Sequence, residues 1–505
     1  MRTVPLPEEP SFEQLRKQAR ELQRAVRAMD PVALAEVSEL HPAGPQAADS
    51  FPLQAAQLVV GRRYGFASWW RLKRHVEIVT RFARFPARMN SGPAVSAADE
   101  FLRLACLNYE DDQPERRERG LALLRSLPGL TLDSACAAAA AADVGALQRI
   151  LSADPGSASR EGGPYRLEPL VYLAYARHDP DLSRDDVLAA ARLLLRSRAD
   201  PNAGYLWHGL HYPFTVLTGV LGEGEQGPVR QPRHPHWREL ARLLLVAGAD
   251  PNDGQGLYNR MFEPGAEHLE LLLSFGLGTG DGGPWQDRMG ERIDSPAEMV
   301  RRQLRWAIEH GMADRVRLLA EHGVDVARPF GDGVTPSTLA ATAGYRGLVE
   351  VLTDFGAPAP ELSPAGEFAA AALAADRLSV AELLARHPRA AAAARRDRPG
   401  LIVWAAAHGQ PGAVELLAEY GFDVNARGRT DTPARGKWLT ALHAAAEIGD
   451  LDLARKLLAL DADPLARDKH HDGTPLDWAR YFGRPDLVKL LEPLTAAPDG
   501  PAAGS

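Results

Sequence analysis

Apolar residues recur along most of this chain in short runs at helical spacing, separated by small and polar residues that close turns. Thr440, Ala441, Leu442 and His443 open one run, Ala444 to Ala446 continue it, and Gly449 closes it. A second run follows at once, with Leu451, Leu453, Ala454, Leu457 and Leu458 at the spacing of one helical face, and Ala462-Asp463-Pro464 ends it. The next copy has Thr474-Pro475-Leu476, Trp478-Ala479, Gly483 and Leu487 to Leu491; an earlier one has Thr335-Pro336, Leu339 to Ala341, Gly344 and Leu348 to Leu352. Each unit therefore predicts two short antiparallel helices. Pro at the first turn opens helix one, where its missing N–H has no intrahelical partner to lose. A small residue permits the tight turn, and the second helix buries a Leu/Val stripe such as Val414, Leu416 and Leu417.

Taking the small residue after helix one as a register mark places it at Asp143, Gly311, Gly344, Asp376, Gly409, Gly449 and Gly483. From Gly311 the intervals are 33, 32, 33, 40 and 34 residues, and the long one holds the polar insertion Arg427 to Lys437. The 168 residues from Asp143 to Gly311 accommodate four longer intervals, and two closing turns lie inside them, Ala199 to Asn202 and Gly248 to Asn252. A period near 33 with Thr-Pro, Leu-His and Gly at fixed offsets marks a repeat array.

These residues resemble the ankyrin-repeat family from about Ser134 to Pro493, with the closest agreement after Gly311. The resemblance implies an all-α solenoid of about ten helix–turn–helix repeats with projecting hairpins and a concave protein-binding face. Only Leu442-His443 keeps the full Leu-His pair; Tyr212 to Thr215 and Glu168 to Leu170 are degenerate copies, and long insertions fall between Asp200 and Gly311.

The ends differ. Residues 1–94 read as a small helical module: one helix from Ser11 to about Met29 opened by a capping box, then Phe51 to Tyr64 and Ser68 to Phe85, the last stopped by Pro86. The phrase Gln57 to Lys73 resembles a small helical module found ahead of bacterial ankyrin arrays. Residues 95–131 supply two capping helices, 132–493 the array, and 494–505 a disordered tail.

Charge divides the chain. Residues 1–90 hold 14 Lys/Arg against 9 Asp/Glu, and the remainder 44 against 57, within a net −8. A basic module thus precedes an acidic body. On the helix from Ser68, Lys73, Arg74, Arg81 and Arg84 share one face, readable as a nucleic-acid contact, as a solvated surface, or as a face docked on the acidic array. No signal peptide follows Met1, no apolar run is long enough to span a membrane, and two cysteines, Cys106 and Cys136, are too few for a disulfide framework. The expectation is a cytoplasmic protein, with the Ala, Leu, Arg, Gly and Pro bias of a GC-rich bacterial genome.

Candidate chemistry is sparse. Gly222 to Gly227 fits Gly-x-Gly-x-x-Gly but lies in a polar insertion, where Glu223 and Glu225 would repel a phosphate. His208, His211, His234 and His236 have no cysteine partners or fixed scaffold to make a metal site. No catalytic residue, metal, cofactor or small-molecule substrate is expected; the partner is another protein, with nucleic acid as the alternative. Positions before each register mark, together with the insertions, give the candidate partner contacts: Trp207, Tyr212, Glu309, His310, Thr342, His408, Trp438, Glu447, Ile448, Tyr481 and Phe482, with Arg230 beside them. Trp306, Trp404 and Trp478 share one repeat position and read as packing residues.

Overall fold

The computed structural model describes residues 3–44, 48–430 and 438–495. The chain divides into two compact units, Met1–Met299 and Val300–Ser505.

The first unit opens with helices Phe12–Arg27, Pro31–Leu40, Leu53–Arg63 and Trp69–Phe82, packed around Leu15, Leu22, Val37, Val59 and Leu72. Ser11 caps the first by accepting from the Gln14 N–H at 3.3 Å. Helix Pro31–Leu40 was not expected, although Asp30 caps it, Pro31 sits in its first turn, and Ala33, Val37 and Leu40 form its buried stripe. Helices Ala97–Ala105 and Pro114–Ser126 follow. Four helix pairs come next: Ala135–Ala140 with Val144–Ala153, Pro169–Tyr175 with Arg184–Arg196, Val216–Leu221 with Trp237–Val246, and Gly254–Met261 with Glu267–Ser274.

A small sheet departs from the all-helical expectation. Strands β1 (Ala83–Arg84), β2 (Gly204–Trp207) and β3 (Phe214–Thr215) lie in that order; β1 pairs parallel to β2, and β2 antiparallel to β3. The helix expected to reach Phe85 therefore ends at Phe82, because residues 83 and 84 pair with the insertion and Pro86 disfavours helical geometry before it. Val79 and Leu206 close over Trp285, Met289 and Ile293, so the insertion and the N-terminal helices share packing.

In the second unit, counting a first helix whose opening turn precedes Val300, the pairs are Pro296–Glu309 with Ala313–Glu321, Pro336–Thr342 with Arg346–Asp354, Pro364–Leu373 with Arg377–Arg386, Leu401–Ala407 with Pro411–Glu419, Ala441–Ile448 with Leu451–Ala459, and Pro475–Tyr481 with Pro485–Thr495. Helix Ala390–Asp397 stands between two pairs. First helices such as Leu401–Ala407 are buried almost all round, whereas second helices bury only a stripe. That division explains the sequence: small and apolar residues throughout helix one, amphipathic spacing in helix two.

Two register marks shift by one residue. Gly311, Gly344, Gly409, Gly449 and Gly483 have φ between 58° and 87°, the left-handed turn that glycine adopts without strain. Asp143 and Asp376 instead cap the second helices, accepting from Ala146 N and Ser379 N, and the left-handed residues are Ala142 and Ala375. The closing turns interlock. Asn202 donates to the Gly248 carbonyl and accepts from Asp250 N; Asn252 does the same to Thr279 and Gly278, and Asn425 to Asp461 and Asp463. Residues 494 and 495, expected in the tail, complete a helix that runs through Pro493; residues 496–505 and most of the insertion at 427–437 lie outside the described residues.

Candidate functional site

In the second unit the ends of successive first helices form a connected stripe. Trp306 and His310 are one helical turn apart, so their rings stack at 3.8 Å and Nδ1 of His310 donates to the Trp306 carbonyl at 2.9 Å. Trp404 and His408 repeat the arrangement at 3.8 and 2.9 Å. Both pairs stand in Trp-x-x-x-His-Gly. Tyr345 joins them: its hydroxyl donates to the Glu309 carbonyl at 3.5 Å, and its ring centre lies 6.1 Å from that of His408. Ile448 reaches the turn at Gly409, and Arg484 donates to the Glu447 carbonyl at 2.9 Å. The stripe ends on Tyr481, 82% exposed, with Phe482 packed edge-on against it. Tyr345 and Arg484 were missed in the sequence; both directly follow a register Gly, where side chains turn back over the preceding unit.

The other candidates take different places. Thr342 donates to the Leu339 carbonyl, while its own carbonyl accepts from Arg398. Trp438 sits in an aromatic cluster, 5.0 Å from His470 and 5.9 Å from Trp478. Below it His443 is buried, with Nδ1 2.8 Å from Thr440 Oγ1 and Nε2 donating to the Gly473 carbonyl at 3.1 Å. Burial lowers the pKa of His443 and of His408, so both rings are neutral near pH 7. Asp468 anchors the adjoining turn. Burial alone would raise its pKa, but the N–H groups of His471, Trp478, His470 and Gly473 overcome that and hold the carboxyl well below its usual range.

This helix-pair geometry, with Thr-Pro entry, Leu-His pair and left-handed Gly, coincides with a match of residues 402–498 to the family model "Ankyrin repeats (3 copies)". Residues 402–498 are ankyrin repeats. No curated protein matches it. In ankyrin-repeat terms His443 is the helix-one histidine that ties its own Thr440 cap to the following turn, a structural role that its burial and two hydrogen bonds define. Ankyrin repeats are generally protein–protein interaction modules, and the part of the stripe from His408 to Phe482 lies at the helix-one ends of the matched repeats.

Ahead of the ankyrin repeats, the first unit uses its candidate residues internally. Trp207 donates its indole N–H to the Asn108 carbonyl at 3.1 Å, and Tyr212 packs beside Trp285. Of the basic face, Arg84 is only 4% exposed and donates to the carbonyls of Tyr165 and Arg166, and both Arg81 and Arg84 pair with Glu161. Arg74 donates to the Asp287 carbonyl, and exposed Lys73 pairs with Glu77 at 3.5 Å. In the Gly-x-Gly-x-x-Gly segment Glu223 is buried between Arg233 and Arg260, an ion cluster that closes the insertion. His208 meets Glu110, and His236 faces the Leu182 carbonyl. Among the described residues no group of three or more His, Cys, Asp or Glu is placed to hold a metal ion, and no helix is long and apolar enough to cross a membrane.

Proposed function

We propose that the chain is a non-enzymatic protein-interaction scaffold of the cytoplasm, and that its partner seats on the stripe Glu309, His310, Tyr345, His408, Ile448, Tyr481 and Phe482. The observation that carries this reading is the end of the stripe: Tyr481 at 82% and Phe482 and Ile448 at 38% exposure. Large apolar side chains gathered at the exposed ends of a packed array suit a binding hot spot, since aromatic anchors dominate interface energies. The reading extends the repeat to ten helix pairs, four in the first unit and six in the second. The interlocking Asn202, Asn252 and Asn425 support it, because one turn-to-turn hydrogen-bond pattern recurs in both units.

The test is crosslinked recovery of partners from the native host with the full chain as bait, with and without nuclease. A Tyr481→Ala/Phe482→Ala/Ile448→Ala chain should lose the protein partner, while Lys73→Gln/Arg74→Gln should keep it. Recovery that survives the triple substitution, or that requires nucleic acid and Lys73 and Arg74, would overturn the proposal in favour of a nucleic-acid regulator. Point substitutions are preferable to removing residues 1–94, because Val79 of that segment shares a core with Leu206 and Trp285.

A further inference from the structure

A cavity of about 530 Å³ opens in the first unit between the Gly65 turn, the start of helix Trp69–Phe82, and the segment 287–292. Its volume falls in the range of small-molecule sites. Four guanidinium groups line it, Arg71, Arg74, Arg288 and Arg292, against the two carboxylates Asp287 and Glu291. Arg71 pairs with Glu291 at 2.6 Å, and Arg74 donates to the Asp287 carbonyl. Among the described residues Arg288 and Arg292 form no ion pair. Their guanidinium carbons lie over rings instead, Cζ of Arg292 4.5 Å from the Phe66 centre and Cζ of Arg288 4.7 Å from that of Trp285. A guanidinium that rests over a ring and has no carboxylate partner keeps N–H groups for a planar or tetrahedral oxyanion, the chemistry that makes arginine a phosphate binder. Trp70, 61% exposed, stands on the rim and offers an aromatic surface. His75 at the base is neutral: burial first, then the charge of Arg292, lowers its pKa to about 4.

We propose that this cleft binds a phosphate monoester carrying a planar ring, of mononucleotide size, with Arg288 and Arg292 holding the phosphate and Trp70 stacking on the ring. The ring contact distinguishes the site from a general anion patch, and the two arginines without a carboxylate partner distinguish it from a surface already neutralised by its own carboxylates.

The probes are AMP, inorganic phosphate and adenosine, titrated into the full-length chain by calorimetry, with tryptophan fluorescence as a second signal. AMP should saturate most tightly, phosphate more weakly, and adenosine should show no saturation. Arg288→Gln/Arg292→Gln should weaken AMP at least tenfold, roughly the loss expected for charge-assisted hydrogen bonds. Glu291→Gln, which releases Arg71, should tighten it, and Trp70→Ala should bring AMP down to the affinity of phosphate. Arg455→Gln, in the second unit, should change nothing. Circular dichroism and the thermal midpoint check that each variant is folded. Absence of saturable AMP and phosphate binding, or unchanged AMP affinity in the folded double variant, overturns the proposal.

Discussion

Trp404 is fully buried, and its indole N–H points at the Ala343 carbonyl 3.5 Å away. Replacing it with Ala removes the largest fully buried side chain among the described residues and should cost about 3–5 kcal/mol, read as a fall in urea midpoint. His178 makes a different kind of demand. It is buried edge-on to Phe101 at 5.0 Å, and burial lowers its pKa from 6.5 to about 4, with Asp179 opposing. The unfolded chain therefore takes up the proton first as pH falls. His178's contribution is complete above about pH 6.5 and declines toward pH 4, by up to about 3 kcal/mol. His178→Phe should flatten part of the acid-side fall in unfolding midpoint, leaving the shares due to the other histidines whose pKa burial lowers, His75, His234, His408 and His443; an unchanged slope would show that His178 is not a source. At this scale the sequence told packing from display only where periodicity helped. Trp306, Trp404 and Trp478 share a repeat position, and Trp404 and Trp478 are buried while Trp306 is partly so, whereas nothing periodic marked Trp207 or Arg84, whose partners come from distant segments.

Turns decide the elements. Gly344 has φ 87°, and a Cβ there would lie 2.6 Å from the Cβ of Leu373. Gly344→Ala combines left-handed strain with a clash and should destabilise the chain by about 2 kcal/mol or more, again by urea midpoint. Asn425→Ala breaks two hydrogen bonds to the next turn and should cost about 1–2 kcal/mol. Helix-two stripes and Gly turns were legible because each is a local necessity of a tight hairpin. Asp143 and Asp376 were misplaced by one residue because an N-cap Asp and a turn residue are neighbours, and Ala142 and Ala375 occupy the left-handed position without glycine's signature. Strands β1 to β3 were not legible at all: β1 and β3 have two residues each and carry no period, and β1 pairs with a partner more than a hundred positions away.

The molecule as a whole has two compact units, and unfolding of such a chain need not be a single cooperative event. Urea unfolding followed by both far-ultraviolet dichroism and tryptophan emission should resolve more than one transition. Trp404→Ala should displace only one of them, and coincident curves that shift together would show instead that the units unfold as one. The stripe of candidate contacts was partly visible from sequence because its members recur at the register, while the arginine cleft was not, since it joins residues 66–75 to 287–292.

The parallel pairing of Arg84 with Trp207 also sets a schedule. A ribosome extending the chain at about 5–20 residues per second needs roughly 6–25 s to make the residues between them. Throughout that interval Ile78, Val79 and Phe82 are already synthesised while Leu206 and Trp285, which cover them, do not yet exist. The nascent chain thus carries a sticky apolar face for many seconds, which makes translation speed and the occupancy of chaperones at the exit tunnel determinants of its yield.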